Sequence, residues 1–325
     1  MKPLNWLGDI YHKHLYRHIA KASSGVTDLT SHAISDSLLG LVMYLPEIFG
    51  VGITYSIYNH ISTNQPMDPT RFLTETGVLA GVFAGTYGLN FLRTPLEEKI
   101  GLELPSDLDK DRETRYSIKR ANELHQSPVL SLDELNDRVN DALDKIVIEF
   151  EGYSVAHAKK TKISWFSNAL TSRNIDGLMN PLIQEVVITN DRKLETIAHE
   201  KAHLTGYARE AEAVFVGYAS MQCSSDPSLN YLAYLQRLRM CRDEFKLNIK
   251  YLMESGLNQR SIDEIRAADS KRREGEKSLS SYSKRTTKLA GSVRSMMLAL
   301  IGQGNILKAY VSKPLRMIAA FDPAD

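Results

Sequence analysis

Residues 196–217 read TIAHEKAHLTGYAREAEAVFVG, and this stretch decides how the rest of the chain is interpreted. His199 and His203 are four residues apart, so on a helix both imidazoles project from one face and can bind one metal ion. Glu200 lies beside His199, where its carboxylate can reach a water molecule at the metal. The pattern predicts a single Zn²⁺ ion, with Glu200 as general base and then general acid in the hydrolysis of a peptide bond.

Two acidic residues follow the histidines closely and offer a third ligand. A catalytic zinc takes three protein ligands and keeps a fourth position open. Glu210 begins an E-x-x-A pattern and is the preferred ligand, with Glu212 as the alternative. On a helix that starts near Arg209 the two carboxylates point about 200° apart, so only one of them can bind the ion directly. The other is expected to hold a ligand imidazole in its tautomer.

The transition state of peptide hydrolysis also needs a hydrogen-bond donor for its oxyanion. The candidates in this sequence are Tyr207, Arg209 and Tyr310. Lys201 stands where zincins, the HExxH metallopeptidases, often carry an apolar residue, and it is expected on the solvent side of the motif helix. A helix pair with exposed His and Glu side chains and no metal is the structural alternative for this segment.

The remaining periodicities predict a mainly α fold with a small β-sheet. Ser131 and Glu134 form a helix-start signature, followed by apolar residues at helical spacing. Further helices are predicted at about 193–205, 210–222, 228–255 and 261–300. The run IQEVVIT at 183–189 is rich in β-branched residues and predicts a strand. We expect this strand to bind an extended substrate by β-augmentation.

Two apolar runs near the N-terminus predict a transmembrane helical hairpin over 37–93. The first, at about 37–58, carries Glu47 as its only charge, and the second, at about 73–92, is uncharged from Thr76 onwards. Each is close to the 20 residues that span a bilayer. Gly77, Gly81 and Gly85 share one helical face and offer a seam for helix–helix self-association. The alternative is a soluble peptidase in which the two runs are core helices.

The segments around the hairpin complete the predicted organisation. Residues 1–36 form a basic amphipathic segment whose stripe of Leu7, Tyr11, Leu15, Tyr16 and Ile19 is expected on a membrane surface, with His12 on the polar face. Residues 94–125 read as a charged linker and helix, and 126–325 as the catalytic domain. Basic residues are more numerous beside the two outer ends of the hairpin than in its connection, which holds only Arg71, so the catalytic domain is expected on the cytoplasmic side.

Composition excludes several classes of protein. The 325 residues carry 40 basic and 39 acidic side chains, so no global field would recruit nucleic acid. Two cysteines cannot form a disulfide scaffold or a zinc finger. The mean hydropathy of −0.27 resembles that of a soluble protein, but it averages two apolar runs with a charged remainder.

The chain resembles a family of uncharacterised bacterial integral-membrane zincins, gluzincin-like metallopeptidases known only as a domain of unknown function. Their pattern, HE-x-AHQ-x-G-(I/F/Y)-ARE-x-EANF, matches residues 199–215 except at Leu204 and Val214. Weaker similarity includes Gly177–Pro181 with Glu185, Cys223–Pro227 with Tyr231 and Tyr234, the segment from Ile10 to Tyr16, and the C-terminal stretch from Gly304 to Leu315.

The resemblance implies a zincin-like metallopeptidase domain behind the hairpin, in the bacterial inner membrane, acting on a peptide or protein substrate. The E-x-x-A pattern is also similar to the ligand helix of membrane-embedded zinc proteases. A catalytically inactive metal-binding scaffold or regulatory protein is the alternative, and Lys201 is the residue that favours it.

Overall fold

The chain is described by a computed structural model over residues 5–21, 90, 92–155, 160–163, 176–180, 185–189, 194–277 and 306–322. The predicted membrane helices lie outside these ranges except for Asn90 and Leu92, and the predicted glycine seam lies wholly outside them. No helix within the described ranges is long and apolar enough to cross a membrane.

The described residues are mainly helical with a little strand, as the sequence predicts. The helices are α1 (Asn5–Tyr11), α2 (Leu96–Lys99), α3 (Lys110–Leu124), α4 (Leu132–Glu151), α5 (Thr196–Leu204), α6 (Glu210–Gln222), α7 (Pro227–Glu244), α8 (Ile249–Glu254), α9 (Gln259–Lys277) and α10 (Ile306–Phe321). The strands are β1 (Lys160–Ile163), β2 (Gly177–Asn180) and β3 (Glu185–Ile188). A π-helical turn, His12–Tyr16, follows α1, and the helix continues over 17–21.

Helix α4 forms where the sequence predicts and supplies one wall of the core. Ser131 accepts a hydrogen bond from the Glu134 N–H, and the Glu134 carboxylate accepts one from the Ser131 N–H, which completes a capping box. The inward face of α4 is fully buried at Leu135, Val139, Leu143 and Val147. Each such side chain contributes about 1.5–3 kcal/mol by leaving water, so this face holds α4 against the rest of the molecule.

The three described strands form one sheet with the order β1-β3-β2. Strand β3 is parallel to β1 and antiparallel to β2, and all four of its residues are buried. The expectation that the run at 183–189 pairs with substrate is therefore wrong for these residues, because β3 already has a partner strand on each side. Strand β2 packs most extensively against α5, the helix that carries the histidine motif, and β3 packs against it as well.

Helices α5 and α6 pack at very short range. A Cβ added to Gly217 of α6 would lie 2.9 Å from the backbone nitrogen of His199 on α5, closer than real Cβ contacts allow. Phe215 fixes the other side of α6, with its ring centroid 6.0 Å from that of Phe150 and 5.4 Å from that of Phe321. The small residue on one face and the aromatic cluster on the other set the position of α6 beside the motif helix.

The N-terminal helix packs differently from the predicted amphipathic stripe. Tyr11, His12 and Tyr16 are buried, whereas Leu7 and Leu15 of the predicted stripe are exposed. The π-helical turn adds one residue to a turn of the helix, so Tyr11 and Tyr16, five residues apart, both lie against the interior. Tyr11 and Tyr16 of the predicted stripe thus pack inside the protein while Leu7 and Leu15 stay exposed, and His12 is buried instead of lying on a polar face.

A buried cluster of charged side chains joins the helices on the far side of α6. Arg237 of α7 is fully buried and donates to Glu113 of α3 at 2.6 Å and to Asp322, just after α10, at 3.0 Å. The hydroxyl of Tyr218 on α6 donates to the same Asp322 carboxylate. Because a buried charge is tolerated only when it is paired, this set fixes α6, and with it Glu210, relative to three other helices.

Candidate metal centre

The two histidines of the motif lie on one face of α5, as their spacing predicts. Their ring centroids are 4.6 Å apart and their planes are inclined by 77°, so each ring presents an edge to the same volume. Glu210 is the first residue of α6 and reaches this volume from the other side. The tight turn at Gly206, whose φ of +95° favours glycine, reverses the chain between the two helices.

The ligand atoms converge on one carboxylate oxygen. Oε2 of Glu210 lies 3.3 Å from Nε2 of His199 and 3.3 Å from Nε2 of His203. Oε1 of Glu200 lies 3.8 Å from Nε2 of His199. His199, Glu200 and His203 offer ligand atoms that all lie within 4.8 Å of one another, and this group could hold a metal ion.

The spacing fits the geometry of a tetrahedral metal. Two ligand atoms held about 2.0–2.1 Å from one ion at tetrahedral angles lie about 3.3–3.4 Å apart. The two distances from the Glu210 oxygen to the histidine nitrogens have this length. Two imidazole nitrogens and one carboxylate oxygen are also a donor set that divalent transition metals accept.

A backbone carbonyl fixes the tautomer of His203. Nδ1 of His203 lies 2.8 Å from the carbonyl oxygen of Tyr207, and because a carbonyl can only accept, Nδ1 carries the proton. The neutral ring therefore presents the lone pair of Nε2 to the cluster, as a metal ligand must. The sequence predicts a glutamate in this role, whereas for His203 a main-chain oxygen fills it.

The electrostatics of the cluster are those of a tightly held ion pair. Burial opposes protonation of His203, but the Glu210 carboxylate outweighs it and raises the His203 pKa to about 9. Burial likewise opposes ionisation of Glu210, but His203 and His199 lower the Glu210 pKa well below its usual value. A metal ion would therefore take the place of the proton on His203.

Glu200 lies in a confined and nearly dry environment beside the histidines. Burial raises the pKa of its carboxyl, against the opposing effect of His199 and His203. Strand β2 passes so close that a Cβ on Gly177 would lie 2.7 Å from Cγ of Glu200 and 2.6 Å from Cγ2 of Thr196. The absence of a side chain at Gly177 is thus what leaves room for Glu200.

Glu212, the alternative third ligand, is occupied elsewhere. Its Oε1 accepts hydrogen bonds from Arg209 at 2.8 Å and from the backbone N–H of Leu96 at 3.0 Å. Its side chain is almost fully buried beside α2. The geometry brings Glu210 to the histidines and directs Glu212 towards the start of α2, so it favours Glu210 as the third ligand.

For two of the three predicted oxyanion donors, Tyr207 and Arg209, the structure shows hydrogen bonds to partners outside the cluster. The hydroxyl of Tyr207 donates to Glu151 at 3.0 Å, and the residue is fully buried. Arg209 donates to Glu212 and to the backbone oxygen of Arg93. Tyr310 lies in α10, and its side chain is outside the described part of the structure.

Lys201 is fully buried, so the expectation that it lies on the solvent side is wrong. It lies two residues from each histidine and so projects from the opposite face of α5, which helix α4 covers. Its Nζ donates to the side-chain oxygen of Asn140 on α4. Desolvation lowers the Lys201 pKa to about 7. The lysine therefore lies behind the motif helix, away from the face that carries the histidines.

Sequence reasoning missed three contributors to this site. Gly177 belongs to a segment that resembles the family, and a glycine within a strand is a recognisable sign of close backbone approach. The carbonyl of Tyr207 carries no sequence signal, because every residue has one. The contact between His12 and Thr205 joins positions 193 residues apart, which no local pattern can predict.

Comparison with known proteins gives a family but no activity. The family model described as "Protein of unknown function (DUF3810)" matches residues 11–309. No curated protein and no solved structure gives a significant match to the chain. The match agrees with the resemblance to an uncharacterised family and spans both the π-helical turn that follows α1 and the histidine motif. The chain belongs to the DUF3810 family of proteins of unknown function.

Proposed function

We propose that the protein is a membrane-anchored zinc metallopeptidase. His199, His203 and Glu210 would bind one Zn²⁺ ion, and Glu200 would serve as the general base. The observation that carries the proposal is the pair of 3.3 Å distances from one Glu210 oxygen to the two histidine nitrogens, with Glu200 alongside. That arrangement supports a site with three metal ligands and one additional carboxylate beside them.

The chemistry divides between the metal and the chain's own side chains. Zinc supplies Lewis acidity, which polarises a peptide carbonyl and lowers the pKa of water. Glu200 accepts a proton from the attacking water and delivers it to the leaving amine. Its burial supports this role, because a carboxyl whose pKa is raised holds a proton more readily than an exposed one. The carbonyl of Tyr207 keeps His203 in the ligating tautomer throughout.

The outer edge of β2 is the best place for an extended peptide substrate. One edge of β2 pairs with β3, and within the described residues no strand pairs with the other. The close approach of Gly177 to Glu200 brings the backbone of β2 next to the proposed base. A peptide added to this edge would be held by main-chain hydrogen bonds with its scissile bond near the cluster.

The proposed setting is a zincin-like domain behind a transmembrane hairpin in the bacterial inner membrane, with the catalytic domain on the cytoplasmic side. The two nearly uncharged runs and the basic residues at their outer ends support this. Carbonate washing of membranes tests the hairpin, because a spanning protein stays in the pellet. Release of the chain into the supernatant would favour the soluble peptidase instead.

A metal-binding scaffold or regulator is the second candidate. The observation that favours it is that Tyr207 and Arg209, two of the three predicted oxyanion donors, are bound to other partners. Lys201 gives it less support than expected, since that side chain lies behind the motif helix.

Replacement of the proposed base separates the two functions. We expect Glu200→Gln to retain zinc and to lose cleavage of a peptide library, read by mass spectrometry on the full chain. The exposed Glu149→Gln serves as the matched control and should cleave like wild type. If Glu200→Gln cleaves peptides at the wild-type rate, the peptidase proposal fails.

A further inference from the structure

The turn that joins the two metal-binding helices is held by side chains from far away in the sequence. The hydroxyl of Tyr16 donates to the carbonyl oxygen of Leu204 at 2.8 Å. Nε2 of His12 donates to the carbonyl oxygen of Thr205 at 2.8 Å. Three successive carbonyls, at 204, 205 and 206, each accept a hydrogen bond from a different distant side chain, the third being Arg93 at 3.0 Å.

These contacts are buried and closely packed. His12 and Tyr16 are fully buried, and Arg93 is 3% exposed. The ring of His12 lies so near Gly206 that a Cβ there would come within 2.3 Å of its Nε2. The last carbonyls of a helix have no partner within the helix, and a buried one is costly to leave unsatisfied. The three side chains therefore hold the C-terminal end of α5 in one conformation.

A buried carboxylate holds the donors themselves in place. Glu151 accepts hydrogen bonds from Arg93, Lys99 and Tyr207. Burial opposes ionisation of Glu151, but the nearby Arg93 lowers its pKa to about 2, so it stays charged. The guanidinium of Arg93 also lies 5.0 Å from the ring centroid of Tyr207. The turn is thus held from both its main chain and its Tyr207 side chain.

The position of this turn decides the geometry of the cluster. The carbonyl that follows the three clamped ones, that of Tyr207, accepts the hydrogen bond from Nδ1 of His203. Three residues further on, Glu210 places its oxygen 3.3 Å from both histidines. A shift of the turn by a few tenths of an ångström would alter the tautomer-fixing bond and the approach of Glu210 together.

We infer that His12, Tyr16 and Arg93 are positioning residues of the metal site, forming a clamp on the 204–206 turn that sets its metal affinity. The inference rests on the proposed function, since it concerns the same ligands. The clamp residues belong to two parts of the chain, His12 and Tyr16 to the N-terminal helix and Arg93 to the stretch before α2. These two parts are in contact, because a Cβ on Gly8 would lie 2.5 Å from the backbone nitrogen of Arg93. Metal affinity therefore depends on how the N-terminal helix and the stretch before α2 pack against the turn.

A pair of hydroxyl deletions tests the clamp. Tyr16→Phe removes the bond to Leu204, whereas Tyr231→Phe removes a buried bond of 3.0 Å to Ser261, away from the cluster. Both variants lose one buried hydroxyl contact, so they share the cost in stability. Zn²⁺ affinity is measured on the full chain by competition with a chelator, and the visible spectrum of Co²⁺ bound in place of zinc reports the ligand geometry.

We expect Tyr16→Phe to weaken zinc binding by about 10-fold, the lower end of the loss seen for direct partners of metal ligands, because it acts through the turn, and to change the Co²⁺ spectrum. Tyr231→Phe should bind zinc like wild type. Equal affinity and identical spectra for Tyr16→Phe and wild type would overturn the clamp. If wild type itself binds no metal, the proposed function fails and the clamp with it, which is a distinguishable result.

A second pair of variants keeps the test decisive if Tyr16→Phe does not fold. His12→Gln retains an N–H near the position of Nε2, whereas His12→Leu has no donor for the Thr205 carbonyl. We expect His12→Gln to bind zinc more tightly than His12→Leu at equal folded fraction. Equal affinities for the two variants would contradict the clamp.

Discussion

Nδ1 of His203 donates a hydrogen bond of 2.8 Å to the carbonyl oxygen of Tyr207, four residues further along the chain. This bond ties the last turn of α5 to the segment that leads into α6. It fixes a proton on the nitrogen that faces away from the cluster and directs the other nitrogen, Nε2, at Glu210. Through this one main-chain oxygen, the conformation of the turn determines the orientation and tautomer that His203 needs to bind a metal.

Metal binding should release a proton from His203. Its pKa of about 9 lies above the usual 6.5, so the His203–Glu210 pair stabilises the fold fully below about pH 6.5 and loses that contribution as pH rises through 9. For metal binding the sign is opposite, because the proton competes with the ion, and affinity should rise up to about pH 9.

Calorimetry in buffers of different ionisation enthalpy measures this release. We expect the number of protons released on zinc binding to fall by about one between roughly pH 8 and pH 10. A release that does not change over this interval would mean that His203 is already neutral or is not a ligand.

Replacing Glu210 and Glu212 one at a time should show which carboxylate binds the metal and which stabilises the fold. Glu210→Gln should lower zinc affinity by more than the ~10–100-fold typical of outer-shell changes, because it removes a direct donor. Glu212→Gln should mainly destabilise the fold, by about 1–3 kcal/mol, since it weakens buried bonds to Arg209 and Leu96. Chelator competition and chemical denaturation measure the two effects. The reverse pattern would make Glu212 the ligand.

Gly177→Ala should impair catalysis while sparing the metal. The added methyl group would meet Thr196 and Glu200 at under 3 Å, so the Glu200 side chain must move. We expect zinc content to stay at the wild-type value and the peptide-cleavage rate to fall by about 10-fold or more, as misplaced catalytic groups cause. Parallel metal analysis and peptide-cleavage assays check this. Unchanged cleavage would place the reactive carboxylate elsewhere.

Lys201→Met should stabilise the protein without changing the metal site. The lysine is fully buried, and its pKa is lowered to about 7 by desolvation, so near neutral pH it costs the folded state stability. Replacement by an apolar side chain of similar length is expected to add about 1–4 kcal/mol.

The pH dependence of the unfolding free energy also tests the effect of burying Lys201. Between about pH 7 and 10.5 the unfolded chain binds the lysine proton and the folded chain does not, so wild-type stability rises with pH over this interval. Lys201→Met should remove that slope. Thermal unfolding at several pH values measures it, and a variant that is less stable at pH 7 with lowered zinc affinity would contradict the account.

Much of the helical framework could be predicted because its signals are local. The capping box at Ser131, the buried stripe of α4 and the positions of α5 and α6 all follow from spacing within a few turns. The predicted helix at 228–255 is wrong in one respect, since it breaks between Glu244 and Ile249, with Lys246 at φ +56°. Nothing in that run's periodicity marks the break.

Two of the three strands, and the residues that hold the turn beside the metal site, could not be predicted from the sequence. Strand β3 carries three β-branched residues in a row and was predicted, whereas β1 (KTKI) alternates two of them with lysines, β2 (GLMN) has none, and both pair with β3. The proposed metal-site residues all lie within one short stretch of sequence, so they could be identified together. The clamp residues His12 and Arg93 could not, because their contacts with the turn span 193 and 113 residues.

The zinc content of the purified full chain is the most direct test of the central claim. After dialysis against metal-free buffer, mass spectrometry should find one zinc ion per wild-type chain and a large loss in His203→Ala, because that variant lacks one of three ligands. A wild-type chain that binds no zinc, or a His203→Ala variant that keeps a full ion, would contradict the assignment of His199, His203 and Glu210 as a metal site.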